Sequence, residues 1–548
     1  MTLDLPELMQ RAEVWLEDDP DPATREELRG LLEARAEDEL RERFGERLEF
    51  GTAGLRGILG AGPNRMNRAL VRKVTAGLAQ YLLNTVPDVK TRGVVVGRDA
   101  RRLSPEFAED TASVLAGAGI PVHYLEEPAP TPVAAYAVSA LRAAAGVVVT
   151  ASHNPPAYNG YKVYWENAAQ IIPPHDRGIS EAIDRVASVA GAPWLELPEA
   201  RDQGLVRPVP DRALDAYVAG VLALRRHPEV AGDLSVVYTP MHGVGGVWVE
   251  RVLREAGYPR VTSVPEQFAP DGEFPTVAFP NPEEDGAMDL AMALAERERA
   301  DLVLANDPDA DRLAAISRDG SGTLRALSGN QIGIALGHYL LTENAPAGPR
   351  SVMTTIVSSS LLGRIAGKLG ARYEETLTGF KWIANRGLEL ESEGVAFVFG
   401  FEEALGYTVG NLVRDKDGVG AALLFTEMAS WCRAQGMTVW DYLERIYREY
   451  GLALGAQTSV TLPGSEGTAQ IAGIMARFRK SAFEELAGVR VVSRSDLKSG
   501  VRVDTVTGSE SRLSLPSSNV LVYEFEDGSR ILLRPSGTEP KIKYYFEV

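Results

Sequence analysis

The sequence predicts an α/β protein with three similar mixed α/β domains followed by a C-terminal α+β domain, four domains around one central cleft. The chain has 548 residues, which is too many for a single hydrophobic core. Short apolar β-branched runs alternate with helical patterns over residues 50–445, as expected of sheets with helical crossovers. Residues 501–548 instead contain short alternating strands separated by turns, which favours an α+β domain.

The strand and helix pattern recurs and divides the chain into four expected domains. Residues 1–210 form the first α/β domain with its N-terminal helices, 211–325 the second, 326–445 the third, and 446–548 the α+β domain. In each of the first three domains, a late buried strand leads into a polar loop. Because ligands of open α/β sheets bind beyond the carboxyl ends of strands, we expect these loops to line one cleft.

The polar loop of the first domain carries a serine, a histidine and a lysine. It follows the apolar run 146–149, which is typical of a buried strand. Ser152 lies at the mouth of this strand, where α/β proteins display nucleophiles or bind ligands. The turn at Asn159-Gly160 brings Lys162 back toward the serine. Taken alone, an ordinary polar turn explains this stretch equally well.

The loop of the second domain places Asp307, Asp309 and Asp311 at alternate positions after the apolar run 301–305. Three such carboxylates repel one another unless a positive charge lies among them, and Mg²⁺ fits a small cluster of oxygen ligands. A calcium-binding EF-hand loop is excluded, because arginines stand where that loop needs Gly and Glu. A solvated acidic loop is the alternative.

The C-terminal domain contains a third candidate site in the stretch that begins with Arg534. An arginine fork, two hydroxyls and the backbone N–H groups around a glycine form a suitable cup for a phosphate dianion. An ordinary hairpin turn is the alternative at this position.

Four motifs in chain order resemble the signature loops of the α-D-phosphohexomutases, which comprise phosphoglucomutases, phosphomannomutases and their phosphopentomutase relatives. The motifs are TASHNP, DPDADR, GFEEALGY and RPSGTEP. The resemblance covers the chain from about residue 50 to the C-terminus, and four motifs in the right order are highly specific. The variants GTAGLRG and EEALGY resemble the branch of phosphoglucomutase-2-type enzymes and phosphopentomutases.

The resemblance implies an intramolecular phosphotransferase that interconverts α-D-glucose 1-phosphate and glucose 6-phosphate. The reaction would pass through a phosphoserine enzyme and a sugar bisphosphate. The alternatives are a phosphopentomutase acting on ribose or deoxyribose phosphates, and a phosphomannomutase. Many family members carry a serine where this chain has Ala404, which leaves hexose specificity open. The implied cofactors are one Mg²⁺ per active site and a sugar 1,6-bisphosphate as activator.

The resemblance also implies roles for individual residues. Ser152 would carry the phosphate and help to bind the metal with Asp307, Asp309 and Asp311. The general acid and base would be chosen among Lys162, Lys381 and, as runner-up, His153. The implied substrate-binding residues are Arg56, Arg98 and Arg312 around the phosphoserine, Glu402 and Glu403 at the sugar, and Arg534, Ser536, Gly537 and Thr538 at the phosphate that is not transferred.

The acidic composition argues against two classes of partner. The net charge of −18 argues against nucleic acid and anionic membranes as partners. The sequence contains neither an apolar run of membrane-spanning length nor a signal-peptide pattern at its start. A single cysteine, Cys432, allows no intrachain disulfide. We therefore expect a cytoplasmic protein. The resemblance implies that it acts on sugar phosphates, and we expect a monomer or a dimer.

Two other functions compete with a mutase. A Mg²⁺ phosphatase could use an aspartate nucleophile in the D-x-D spacing of Asp309 and Asp311, but such enzymes usually carry Thr or Val where Leu313 stands. They also have no use for Ser152. A non-catalytic sugar-phosphate binding protein would be expected to lose the serine or one metal-loop aspartate, and this chain retains all four.

Overall fold

The structure is a computed structural model that describes residues 3–49, 54–462, 464–481, 483–536 and 541–548. The chain divides into two compact units. Unit 1 comprises Met1–Leu327 and Gly406–Val439, and unit 2 comprises Ser328–Leu405 and Trp440–Val548. The domain boundaries expected from the sequence stay a prediction.

Unit 1 begins with three amphipathic helices that bury their own small apolar cluster around Leu8, Leu28 and Phe44. Asp4 begins the first helix with a capping box that it forms with Glu7. The helices are α1 (Leu5–Asp18), α2 (Pro22–Glu33) and α3 (Glu37–Phe44).

The first sheet of unit 1 has the strand order β1-β5-β4-β2-β3-β6. Strands β4, β2, β3 and β6 pair in parallel, and β5 pairs antiparallel with both β4 and β1. Its central strands are buried on both faces, so they consist of continuous apolar runs. The strands are β1 (Leu55–Ile58), β2 (Val94–Arg98), β3 (Val122–Tyr124), β4 (Ala145–Val149), β5 (Tyr158–Trp165) and β6 (Val206–Pro208). The helices are α4 (Arg68–Thr85), α5 (Val89–Arg92), α6 (Ser104–Gly117), α7 (Thr131–Ala140), α8 (His175–Asp184), α9 (Leu197–Asp202) and α10 (Asp211–Ala223).

The second sheet of unit 1 has the order β11-β10-β9-β7-β8 and repeats the mixed pattern, with β8, β7 and β9 parallel. Its strands are β7 (Val236–Thr239), β8 (Val261–Ser263), β9 (Leu302–Ala305), β10 (Ala314–Arg318) and β11 (Leu324–Ala326). Its helices are α11 (Gly246–Glu255), α12 (Pro265–Phe268) and α13 (Asp289–Glu298).

Unit 2 begins with a parallel sheet in the order β13-β12-β14. Ser328 and Gln331 form a capping box at the start of its first helix. The elements are α14 (Gly329–Thr342), β12 (Arg350–Thr355), α15 (Leu361–Lys368), β13 (Arg372–Thr376), α16 (Phe380–Ser392) and β14 (Ala396–Glu402). The chain then returns to unit 1 with β15 (Gly406–Val409) and the almost fully buried helix α17 (Gly418–Ala434).

The remainder of unit 2 is an antiparallel sheet in the order β16-β23-β22-β21-β18-β19-β20, with β17 paired to β18. Its elements are α18 (Val439–Tyr450), β16 (Gly455–Thr461), α19 (Gly464–Lys480), β17 (Glu485–Leu486), β18 (Val489–Asp496), β19 (Val501–Asp504), β20 (Glu510–Arg512), β21 (Leu521–Phe525), β22 (Arg530–Pro535) and β23 (Lys541–Glu547). Apolar residues of both parts of unit 2, among them Ile356, Leu377, Leu532 and Tyr545, share one core cluster.

The predicted α/β fold class is confirmed, because three sheets with helical crossovers precede a C-terminal part built on an antiparallel sheet. Within the part of the chain that the structure describes, no helix combines the length and the apolar character needed to cross a membrane.

We expect Leu78→Ala to lower the free energy of unfolding by about 3 kcal/mol, because Leu78 lies in the core of the first sheet and the substitution leaves a cavity. The matched control is Leu83→Ala in the same helix α4, where the side chain is 38% exposed. Chemical denaturation followed by circular dichroism measures both variants. An equal loss of stability in the two variants would contradict the assigned packing of α4.

Candidate active site

Ser152 lies on the loop that follows β4, at the carboxyl end of the strand, and it is buried. Its φ of 53° is in the left-handed region, which costs energy for a non-glycine residue and persists only where the surroundings impose it. Its backbone N–H donates to Thr150 Oγ1 at 2.9 Å. Its Oγ donates to Asp307 Oδ2 at 2.7 Å and lies 3.2 Å from His153 Nδ1. The serine hydroxyl is thus held between an acidic loop and an imidazole.

The buried guanidinium of Arg101 fixes the conformation of this serine loop. It donates to the carbonyl oxygens of Ser152 at 2.6 Å and Asn154 at 2.5 Å, and to two further carbonyls of the loop. Asp99 lies 3.3 Å from Arg101 Nε and accepts a hydrogen bond from Thr150 Oγ1 at 2.7 Å. Sequence reasoning missed Arg101, because one arginine in a charged turn after a strand gives no distinguishing signal.

Asp307, Asp309 and Asp311 follow β9, are buried, and bring one carboxylate oxygen each within 4.8 Å of the others. Burial, together with the charges of the other two aspartates, holds the pKa of Asp307 well above its usual range. Oδ1 of Asp309 and Oδ1 of Asp311 have no hydrogen-bond partner among the described residues. Buried carboxylate oxygens without partners are costly, and three oxygen donors at this spacing fit a hard divalent cation such as Mg²⁺.

Two lysines neutralise part of this acidic cluster. Lys162 Nζ lies 2.8 Å from Asp309 Oδ2 and 2.9 Å from Asp311 Oδ2. Burial opposes the charge of Lys162, but the two aspartates outweigh it and raise the pKa of Lys162 above its usual value. Lys416 Nζ lies 3.1 Å from Asp311 Oδ2 and 3.2 Å from Asp415 Oδ1. Sequence reasoning missed Lys416, for which the available signal was a charged run immediately before an apolar helix.

Two of the predicted arginines of unit 1 lie at this cluster. Arg312 Nε is 3.8 Å from Asp307 Oδ2, and the Arg312 backbone N–H donates to Asp307 Oδ1 at 3.1 Å. Arg56 Nη1 donates to Asn154 Oδ1 at 2.7 Å. Burial and the positive charge of Arg312 lower the pKa of Arg56 to about 10. Burial, and then the charges of Arg312 and Arg56, hold the pKa of His153 well below its usual value.

Arg98, the third arginine expected around the phosphoserine, makes no hydrogen bond to the serine loop among the described residues. Its guanidinium donates to the backbone oxygen of Asp99 at 3.3 Å and lies 3.5 Å from that of Glu126. Arg101, three residues further on, contacts the loop instead.

The remaining predicted residues belong to unit 2. Glu402 ends β14, and its Oε1 accepts a hydrogen bond from Gly379 N at 2.9 Å. Glu403 Oε2 accepts a hydrogen bond from Ser358 Oγ at 3.1 Å. Burial and the charge of Glu402 raise the pKa of Glu403 to about 7.

Lys381 lies in the first turn of α16, with Nζ 5.7 Å from the centre of the Trp382 ring. Arg534 lies on β22 opposite Lys543 of β23. The backbone N–H of Ser536 donates to the carbonyl oxygen of residue 541 at 2.7 Å. The predicted phosphate contacts Gly537 and Thr538 lie outside the described residues.

Comparison with known proteins identifies the family. Four family models match the chain in order, each described as a domain of "Phosphoglucomutase/phosphomannomutase". They are alpha/beta/alpha domain I over residues 47–190, domain II over 215–320, domain III over 328–450, and the C-terminal domain over 466–548. Together they match most of the chain.

Individual relatives agree with this assignment. The chain is 39% identical to the phosphopentomutase of Mus musculus, over 99% of this chain and 90% of the relative. It is 37% identical to the glucose 1,6-bisphosphate synthase of Homo sapiens, over 97% of this chain and 89% of the relative. The crystal structure of a putative phosphomannomutase from Thermus thermophilus matches the fold with a TM-score of 0.69 and 23% identity, over 92% of this chain and 95% of that one. The chain therefore belongs to the α-D-phosphohexomutase superfamily, in its phosphoglucomutase-2/phosphopentomutase-like branch, and is an enzyme of the phosphotransferase isomerase class.

Proposed function

We propose that the protein is a phosphosugar mutase that moves a phosphoryl group between two hydroxyls of one sugar through Ser152. The observation that supports this most directly is the 2.7 Å contact between Ser152 Oγ and Asp307, one of three buried carboxylates. A serine hydroxyl at a site suited to a divalent cation is placed to carry a phosphoryl group.

The proposed reaction has two balanced half-reactions. In the first, the bond between phosphorus and Ser152 Oγ breaks, and a new bond forms from phosphorus to a free hydroxyl of the sugar monophosphate. The proton that the sugar hydroxyl loses is matched by one that the serine oxygen gains, and the product is a sugar bisphosphate. In the second, the other phosphoryl group of the bisphosphate returns to Ser152. A sugar 1,6-bisphosphate, or the 1,5-bisphosphate of a pentose, is also the proposed activator, because it would phosphorylate Ser152 of the free enzyme.

Asp307, Asp309 and Asp311, with an oxygen of the phosphorylated Ser152, are the proposed ligands of one Mg²⁺, whose charge would offset that of the phosphoryl group. The positive side chains of Arg56 and Arg312 would orient the same group from the protein side. We also keep Arg98 as a proposed contact at the phosphoserine, although its present hydrogen bonds lead to backbone oxygens.

The proton has several proposed carriers. His153 Nδ1 lies within proton-transfer distance of Ser152 Oγ. Lys162 lies in unit 1 beside the aspartates, whereas Lys381 lies in unit 2. Lys416 joins these candidates, because it contacts the same oxygen of Asp311 as Lys162 does.

Unit 2 supplies the proposed recognition of the sugar. Glu402 and Glu403 would accept hydrogen bonds from sugar hydroxyls. Arg534, Ser536, Gly537 and Thr538 would bind the phosphate that is not transferred.

For the substrate, we propose a pentose 1-phosphate and its 5-phosphate as the preferred pair, with the glucose phosphates as the second candidate. Ala404 offers no hydroxyl beside the two glutamates. Relatives that are 37% to 39% identical carry the names phosphopentomutase and phosphoribomutase. The relative named glucose 1,6-bisphosphate synthase keeps the glucose phosphates as a candidate.

The Ser152→Ala variant tests the proposed mechanism. Turnover of ribose 1-phosphate and glucose 1-phosphate should fall by roughly 10⁴-fold or more, because the nucleophile is lost. Labelled glucose 1,6-bisphosphate should phosphorylate the wild type and leave the variant unlabelled. The control is Ser430→Ala, which changes another buried serine of unit 1, whose hydroxyl donates to Thr426 O. Full activity of Ser152→Ala would refute the phosphoserine mechanism and favour an aspartate-dependent phosphatase.

Removal of a metal ligand tests the cation site. Asp309→Asn should weaken Mg²⁺ binding by about 100-fold or more, measured by titration calorimetry on protein first treated with a chelator. Asp271→Asn, an exposed acidic residue of the same unit, is the matched control. Unchanged Mg²⁺ affinity in Asp309→Asn would remove Asp309 from the site.

The Ala404→Ser variant tests the substrate preference. The added hydroxyl should raise kcat/KM for glucose 1-phosphate relative to ribose 1-phosphate by about tenfold, since one hydrogen bond to a sugar hydroxyl is gained. Both substrates are assayed with their bisphosphates in wild type and variant. A wild-type preference for glucose 1-phosphate that the serine does not change would contradict the proposed role of Ala404.

A further inference from the structure

We propose that Arg530 and Ser358 are positioning residues, which fix the distance between the sugar-binding carboxylates and the phosphate-binding arginine and so help to select the sugar. Neither residue is expected to touch the substrate. The inference rests on the proposed function, because it assigns a role to residues around the proposed sugar and phosphate contacts of unit 2.

The first part of the argument is the side chain of Ser358, which is 1% exposed and lies in the turn between β12 and α15. Its Oγ accepts from Glu403 N at 2.9 Å and donates to Glu403 Oε2 at 3.1 Å. Thr355 Oγ1 lies 2.8 Å from Ser358 Oγ. A serine hydroxyl can donate one hydrogen bond and accept two. Ser358 Oγ donates to the carboxylate of Glu403, so it accepts from Glu403 N and from Thr355 Oγ1. The backbone and the carboxylate of Glu403 are therefore held together by one atom.

The second part is the guanidinium of Arg530, which holds the turn that carries Ser358. The residue is 8% exposed. Nη2 donates to the backbone oxygen of Ser358, Nε lies 2.7 Å from Glu547 Oε2, and Nη1 lies 3.2 Å from Glu375 Oε1. Burial disfavours the charge, but Glu375 and Glu547 outweigh it and raise the pKa of Arg530. Each of the three guanidinium nitrogens thus has a partner.

Glu547 fixes the same turn from a second direction. Its Oε1 accepts from Ser359 Oγ at 2.5 Å and from Ser360 N at 2.9 Å. Ser360 immediately precedes α15, so the carboxylate also lies at the positive end of that helix. Residues 358–360 are therefore held by a pair of oppositely charged side chains, which we call the Arg530–Glu547 clamp.

The clamp also belongs to the framework of the proposed phosphate site. Arg530 and Glu547 face each other across β22 and β23. The same two strands pair Arg534 with Lys543, and Arg534 is the proposed phosphate contact. Strand residues are held in register by the backbone ladder, so the clamp ties the turn that orients Glu403 to the strands that present Arg534.

Pentose and hexose phosphates differ in the separation between their ring hydroxyls and their phosphate. A fixed distance between the two carboxylates and the phosphate-binding arginine therefore favours the sugar phosphate whose hydroxyl-to-phosphate separation matches it. Loss of the clamp should allow unit 2 to bind sugar phosphates with a wider range of hydroxyl-to-phosphate separations. No substrate contact is removed directly.

The test measures the dissociation constants of ribose 5-phosphate and glucose 6-phosphate by titration calorimetry for wild type, Ser358→Ala and Arg530→Lys. Arg530→Lys keeps the positive charge but cannot reach three partners at once. In both variants the constant for the preferred sugar phosphate should rise by about tenfold, because a hydrogen bond to a charged group is lost. The ratio between the two constants should move toward one. In the double variant the two effects should be less than additive, since both act through one turn.

The controls separate positioning from general destabilisation. Ser430→Ala should leave both dissociation constants unchanged, and thermal unfolding is followed for every variant. A lowered unfolding temperature with an unchanged ratio of dissociation constants would overturn the proposal, because a merely structural role moves stability alone.

Failure of the proposed function is recognised separately from failure of the clamp. A wild type that binds the sugar phosphates but does not interconvert them would refute the mutase proposal, while its dissociation constants would still decide the role of the clamp. A wild type with normal turnover, and clamp variants with the wild-type ratio of constants, would refute the clamp alone.

Discussion

The mutual repulsion of three buried aspartates beside Ser152 is the constraint on which the site in unit 1 depends. Carboxylates this close and this buried do not remain charged together unless positive groups surround them. The structure supplies those groups from separate stretches of the chain: Lys162 from β5, Arg312 from the aspartate loop, and Lys416 from the segment before α17. The charge balance of the cluster therefore depends on these stretches packing together.

The same balance explains how a chain with a net charge of −18 can attract an anionic substrate. The excess of acidic residues is a property of the whole molecule, whereas the field at Ser152 is determined by its neighbours. Three mostly buried arginines lie at or near the loop that carries Ser152: Arg56, Arg101 and Arg312. Water and salt screen the charges of buried groups only weakly. Burial also prevents these arginines from being neutralised by mobile counter-ions.

The sequence allowed the fold class, Ser152 and the aspartate loop to be predicted, because each of these is a local pattern. An apolar β-branched run followed by a polar loop can be recognised from adjacent residues. The three alternate carboxylates can be recognised within residues 307–311. Arg101 and Lys416 were not found in this way, because they contact residues far along the chain: Ser152 and Asn154 for Arg101, and Asp311 for Lys416. The packing of the 406–439 segment is likewise not visible in adjacent residues: it belongs to unit 1, where α17 is buried, while the residues on both sides of it belong to unit 2.

The two units divide the proposed reaction into chemistry and recognition. Unit 1 contains the nucleophile, the candidate metal ligands and the lysines paired with them, and these need only a hydroxyl and a phosphoryl group. Unit 2 contains the proposed sugar and phosphate contacts, together with Ala404 and the Arg530–Glu547 clamp, to which we assign the choice of sugar. Under this proposal, a change of sugar preference requires substitutions in unit 2, because the proposed phosphoryl transfer at Ser152 needs only a hydroxyl and a phosphoryl group.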